Sequence, residues 1–198
     1  MTHAPAASND PGWTTLETTS GLVLRVRPEQ PGDGPALVAL FNHLSPSSRF
    51  LRFSKVMDEP DPQRVQQEAE RLARLGPPND MAWLAFADSP EEAAVPLAAV
   101  RYVRTAPGEA ELAIAVRDDM QRQGIGSVLL LYACVQAQQD GLERLKATFR
   151  SENRGIWALL KRSPFPVSWT VDGPEISAVV DLAGPVTKPA RVAESAGL

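Results

Sequence analysis

The run from Glu109 to Ser127, EAELAIAVRDDMQRQGIGS, constrains this chain more than any other. Ala110, Leu112, Ile114 and Val116 alternate with Glu109, Glu111, Ala113 and Ala115, and that period of two predicts a strand with two unlike faces. One face is apolar and belongs against a core. The other carries two carboxylates and then two alanines, which leaves room for something other than a large side chain. A charged turn follows, and Gln121, Gly124 and Gly126 lead into the apolar segment Ile125 to Val135, which reads as a helix. Glycines at a helix entry let N–H groups approach an anion, and the helix start adds partial positive charge. Strand, glycine turn and helix together predict a pyrophosphate seat beside a carboxylate.

Taken alone, Gly124-Ile125-Gly126 also fits an ordinary turn. It is no P-loop, because no Gly-Lys-Ser/Thr follows, and no dinucleotide fingerprint, because Leu129 stands where the third glycine belongs. The wider segment VRDDMQRQGIGSVLLLYAC resembles motif A of the GNAT superfamily of N-acetyltransferases. That motif, Q/R-x-x-G-x-G/A at a strand-to-helix junction, is matched here by Gln121-Arg122-Gln123-Gly124-Ile125-Gly126. Many members place Arg or Lys third, whereas this chain has Arg122 second and Gln123 third. The resemblance implies that the loop, continuing to Ser127, binds the pyrophosphate of acyl-coenzyme A through its main-chain amides.

The remaining pattern agrees with one domain of that kind. Residues 1–16, rich in Ala, Pro, Ser, Asn and Asp, read as a disordered arm, with Trp13 placed to dock on the body or a partner; residues 17–184 read as the domain, and 185–198 as a disordered tail. Strands are expected at 18–27, 81–87, 95–105, 109–116, 142–149, 165–171 and 175–182. Helices are expected after Asp33, from Pro62 with Asp61 as a possible N-cap, from Ile125 and from Asn153. The Pro107-Gly108 turn predicts an antiparallel hairpin. The resulting order, β-α-α-β-β-β-α-β-α-β-β, matches the GNAT arrangement, an α/β fold with a mixed, mostly antiparallel sheet whose middle strands splay apart to admit the coenzyme.

Composition narrows the function classes. A net charge of −4 gives no electrostatic case for nucleic acid. The start, MTHAPAASNDPGW, has neither a basic nor an apolar region, and no apolar run reaches membrane-spanning length, so a cytoplasmic protein is expected. The single cysteine, Cys134, lies within the apolar helix and reads as core. No His/Cys cluster has zinc-ligand spacing, so no metal is expected.

LSPSSRFLRF, RYVR at 101–104, AELAIAVRDD and SENRGIWALL at 151–160 resemble the bacterial Pat-type protein lysine acetyltransferases. The resemblance implies acetyl-CoA as co-substrate and an amine acceptor, a protein lysine or a small molecule, acting as monomer or homodimer. A lysine amine ordinarily titrates near about 10.4 and is mostly ammonium at neutral pH, so a carboxylate must take its proton. Glu111 is the expected base, at the place of the strand glutamate in Pat-like enzymes; Glu109, about 7 Å along the strand, reads as a turn carboxylate. The thioester carbonyl is expected to accept from a main-chain N–H near Val116. Asn153 matches an asparagine that contacts the coenzyme arm in relatives, and equally fits a helix N-cap. The segment Ile156 to Leu160 has no tyrosine, so no general acid is assigned. Arg49, Arg52 and Arg101 are candidates to line the acceptor side, and His43 reads as a packed or surface histidine. A non-catalytic acyl-CoA sensor is the rival class; it would keep the glycines and not need Glu111.

Overall fold

A computed structural model describes residues 12–88 and 95–184. The expectations for residues 1–11, for the loop at 89–94 and for the tail at 185–198 lie outside the described residues. The first half of the chain forms strands β1 (Thr14–Glu17) and β2 (Val23–Pro28), helices α1 (Gly34–Asn42), α2 (Pro46–Phe53) and α3 (Pro62–Ala73), and strand β3 (Asp80–Ala87). Strands β4 (Ala98–Ala106) and β5 (Glu109–Val116) follow, then a 3₁₀ turn at Asp118–Met120 and helix α4 (Ile125–Gln139). Strand β6 (Arg144–Arg150), helix α5 (Arg154–Lys161), β7 (Val167–Asp172) and β8 (Glu175–Asp181) complete the body.

The strands make one sheet in the order β1-β2-β3-β4-β5-β6-β8-β7. Every neighbouring pair is antiparallel except β5 and β6, which run parallel. The period of two in β4 and β5 sends Val100, Tyr102, Ala110 and Leu112 to one face, all buried. There they meet α4, whose Ile125, Leu129, Leu130, Ala133, Cys134 and Ala137 are buried in the same core cluster. Trp83 of β3 packs edge-on against Tyr132 of α4, ring centres 5.6 Å apart. Helices α1, α2 and α3 cover the opposite face, over Ala99, Arg101, Ala113 and Ala115.

The parallel pair β5–β6 is short. Glu109, Ala110 and Glu111 face Arg144, Leu145 and Lys146, and beyond them Leu112–Val116 and Ala147–Arg150 are unpaired with each other. Meanwhile β5 stays paired with β4 as far as Val116, and β6 with β8 as far as Arg150. A wedge therefore opens in the middle of the sheet. Glu109 closes its narrow end, ion-paired to Arg144 at 2.8 Å and to Lys146.

Three local readings change. The arm at 1–16 ends sooner than expected, because Thr14–Glu17 pair with Val23–Val26 as an edge strand. Trp13 sits beside it, 5.6 Å from Phe86 and under the guanidinium groups of Arg25 and Arg27. Residues 18–22, read as strand, form instead the turn joining β1 to β2, with Leu22 N–H on Thr18 Oγ1 at 3.1 Å and Gly21 at φ +84°. Three helices precede β3, where the sequence pattern predicts two. The additional one, α2, has Pro46 in its first turn and Ser45 as N-cap, whose Oγ accepts from Ser48 N–H at 3.2 Å. Asp33 is the N-cap residue of α1, where the helix was expected to start, but its side chain makes no capping hydrogen bond. Its carboxylate takes Arg27 at 2.6 and 2.7 Å and Gln30 N–H at 2.7 Å.

Candidate active site

The glycine loop sits at the open end of the wedge. Two of its residues, Arg122 at φ +63° and Gly124 at φ +87°, are left-handed. Such reversals turn successive N–H groups to one side and build a concave anion seat. The N–H groups of Arg122, Gln123, Gly124, Ile125 and Gly126 have no acceptor among the described residues. Ser127 N–H differs, since Gly124 C=O takes it at 3.0 Å. Outside contacts hold the loop in place: Ser20 Oγ donates to Gln123 C=O at 2.9 Å, and Gln121 Nε2 to Val116 C=O at 3.3 Å. The residues fit a diphosphate: free main-chain donors, a helix start behind them, and no carboxylate among Gln121 to Ser127.

Backbone phase carries the seat into the wedge. Arg117 N–H bonds to Leu97 C=O at 2.9 Å, and antiparallel ladders alternate bonded and non-bonded pairs. The next pair, Ala98 and Val116, is therefore non-bonded, so the N–H of Val116 points away from β4 and into the gap. Ile114 has the same phase. Gly126 stands opposite; a Cβ there would lie 3.9 Å from Val116 and 3.8 Å from Leu159, so small residues keep this passage open.

Glu111 is exposed on the face of β5 that also carries Ala113 and Ala115. It makes no ion pair or hydrogen bond among the described residues, in contrast to Glu109. Beside those alanines lies a cavity of about 640 Å³, walled by α1, α2, α3 and the segment at 55–61. Leu37, Phe41, Phe53, Met57, Val65 and Leu72 make it largely apolar.

The three candidate arginines separate here. Arg101 floors the cavity, but its guanidinium is taken by Asp80 at 3.0 Å, Glu29 at 2.6 Å and Leu72 C=O at 3.2 Å. Burial pushes both of those carboxyls above their usual range while Arg101 pulls them down, and Asp80 Oδ1 is buried with no hydrogen bond. Arg101 is thus a packing element rather than a free contact. Arg49 lies over the Phe41 ring at 4.3 Å, within reach of Phe41 and Met57 carbonyls, and ties α2 to α1. Of the three, only Arg52, half-buried against Phe53, lines the cavity with its charge unmatched among the described residues.

Asn153 caps α5, its Oδ1 accepting from Ile156 N–H at 3.1 Å. Trp157 of α5 donates to Ser151 C=O at 3.2 Å. Cys134 is core, and burial raises its thiol to about 12, which removes it as a nucleophile. His43 is exposed, its Nδ1 2.8 Å from Ala39 C=O. Among the described residues no group of three or more His, Cys, Asp or Glu is placed to hold a metal, and no helix is long and apolar enough to cross a membrane. What sequence reading missed is the cavity: its walls come from three helices, one of them unforeseen, and no local motif marks it.

Comparison with known proteins bears on this site. The model of the acetyltransferase (GNAT) family matches residues 38–163, from α1 through α5. The GNAT domain of S. lividans PAT superposes with a TM-score of 0.72 at 21% identity, covering 85% of this chain and 96% of that one. A cAMP-binding acyltransferase from Mycobacterium smegmatis gives 0.58 at 24% identity; 88% of this chain matches 48% of that longer protein. A PaiA N-acetyltransferase from Thermoplasma acidophilum, solved with coenzyme A, gives 0.58 at 17% identity over 80% of this chain and 98% of that one. With the family match spanning the glycine loop, the wedge and most of the cavity walls, the chain belongs to the GNAT family of acetyltransferases, enzymes that transfer an acyl group from acyl-CoA.

Proposed function

We propose that this enzyme moves an acetyl group directly from acetyl-CoA to a primary amine, with Glu111 as the base. The observation that carries the reading is the position of Glu111: an unengaged carboxylate on the cavity face of β5, one step from Ala113 and beside the wedge. Acetyl-CoA supplies an activated thioester. The amides of Arg122 to Gly126 hold its diphosphate, the loop from Gln121 to Ser127 shapes that seat, and the Asn153 carboxamide adds a contact to the arm. The N–H of Val116 bonds to the thioester carbonyl and polarises it. Glu111, directly or through one water, takes a proton from the ammonium, so that the free amine attacks. The C–N bond forms, the C–S bond breaks, and the second amine proton goes to the departing thiolate.

The Pat-like segments support a protein lysine as acceptor. The cavity favours a second reading, a small-molecule amine, because its volume falls in the usual range for small-ligand sites, about 300–1,000 Å³. Assaying CoA release with an amine panel and a lysine-peptide panel separates the two. Glu111→Gln should lower kcat/KM by roughly 10²- to 10⁴-fold at pH 7, the size of a general-base contribution. The deficit should narrow as pH rises towards the amine pKa, and the Kd for CoA should not move. A variant with wild-type rates from pH 6 to 9 would remove Glu111 from the chemistry. Tight CoA binding with no acceptor turned over would favour the sensor reading.

A further inference from the structure

Two of the cavity's charged side chains, Lys55 and Arg52, have no ion pair among the described residues, and the others pair off. Asp61 pairs with Arg64 and Glu68 with Arg71, both near the rim, and Arg101 holds Glu29 and Asp80 in the floor. Lys55 lies exposed at the mouth. Arg52 alone reaches the cavity from α2, half-buried, with no hydrogen bond or ion pair among the described residues. Arg52 shares the cavity with Ala113 and Ala115, on the face of β5 where Glu111 stands, and burial together with the Arg101 charge pulls its pKa down while the Glu111 charge acts the other way. A guanidinium withdrawn from water without an anion is costly, and its planar fork matches a carboxylate with two parallel N–H···O bonds. The floor offers no such anion, since Glu29 and Asp80 are held by Arg101.

We propose that the acceptor is a compact apolar amino-carboxylate, its carboxylate on Arg52, its amine towards Glu111, and its apolar body between Phe41, Phe53 and Leu72. This rests on the transfer reading above and names the acceptor within it. A lysine in a peptide presents an amine on a slender stem with no carboxylate, leaving Arg52 unmatched and the apolar walls unfilled. The bond changes are those of the parent reaction: the amine nitrogen joins the acetyl carbon, the C–S bond breaks, Glu111 removes one amine proton and the thiolate takes the other.

The test compares L-leucine and L-phenylalanine with isoamylamine and phenethylamine, their counterparts lacking the carboxylate, and with a capped lysine peptide, by CoA release with the full chain. The amino acids should show a KM roughly 10- to 100-fold below that of the matched amines, the worth of a charge-assisted hydrogen bond. Arg52→Met should erase that preference by raising KM for the amino acids alone, and Arg52→Lys should restore part of it. Because the wild-type comparison needs no variant, a misfolded Arg52→Met would leave the proposal testable. Turnover of the matched amines or the peptide without preference for the carboxylate overturns the proposal and leaves the transfer reading intact. An equal fall in kcat for every acceptor in Arg52→Met, with KM unmoved, overturns it in favour of a role through Glu111. Failure of calorimetry to detect CoA binding overturns both.

Discussion

At the scale of single residues, the fold holds its buried charge in two different ways. Arg101 binds two carboxylates that burial has pushed above their usual range, so that cluster stiffens the cavity floor at some cost in stability near neutrality. Asp33 is the opposite case. Burial works against its ionisation, but the hydrogen bond from Arg27, the Gln30 N–H and the Arg27 charge together outweigh it and depress the carboxyl. A depressed carboxyl stabilises the native state above its unfolded pKa of about 3.9 and stops doing so as pH falls through the folded value. Asp33→Asn should therefore lose about 1–3 kcal/mol in urea denaturation at pH 7. The gap between wild type and variant should close as pH falls below about 4. A gap that widened on acidification would mean that Asp33 is not the stabilising partner. None of this could be read from the sequence. Arg101 meets Glu29 and Asp80 across 72 and 21 positions, and no spacing rule links them. The face on which Glu111 stands was legible, because alternation along one strand fixes it.

At the scale of elements, legibility follows how local the cause is. The β4–β5 hairpin, the glycine entry to α4 and the Asp61 cap of α3 are decided within a few residues, and all three stand where the sequence puts them. Helix α2 was missed because it is only eight residues long and buries none of them, although Ser45-Pro46 is a helix-start signal. The wedge depends on where pairing between β5 and β6 stops, which only the packed structure decides. The two glycines of the loop then make unlike demands. At Gly124, φ is +87° and a Cβ would lie 3.2 Å from Thr18 Cβ and 3.4 Å from Thr19 Oγ1. At Gly126 the backbone is helical and a Cβ meets only ordinary contacts. Gly124→Ala should cost about 1–3 kcal/mol in stability, the strain of a left-handed L-residue, and weaken CoA binding at least about tenfold by displacing the amides. Gly126→Ala should keep wild-type stability and bind CoA within about threefold, as the G/A alternative in the motif allows. Calorimetry and thermal melting on the pair decide it. Equal losses in both variants would mean that bulk in the loop, not backbone conformation, sets the affinity.

At the scale of the molecule, the sheet is two panels, β1–β5 and β6–β8, joined by three residue pairs and the Glu109 ion pairs. Helices α4 and α5 bridge the panels on one face, where Leu159 approaches Gly126, and α2 reaches β6 on the other, with Arg150 4.9 Å from the Phe50 ring. A ligand lying along the unpaired edges supplies the missing ladder, so coenzyme binding should stiffen the whole sheet rather than one loop. By mass action, a coenzyme at 100 times its Kd stabilises the native state by about 2.7 kcal/mol, which for a chain of this size raises Tm by roughly 5–10 °C. Hydrogen exchange locates the effect. The N–H groups of Ile114 and Val116, which face the gap, and those of Arg122 to Gly126 should slow on adding CoA, while β7, on the far edge of the second panel, changes least. Adding adenosine instead should protect none of them, because it lacks both the diphosphate and the arm. Protection confined to the glycine loop would place the diphosphate correctly and remove the arm from the wedge. The acyl group would then not reach Glu111, and the link from fold to chemistry would fail at that point.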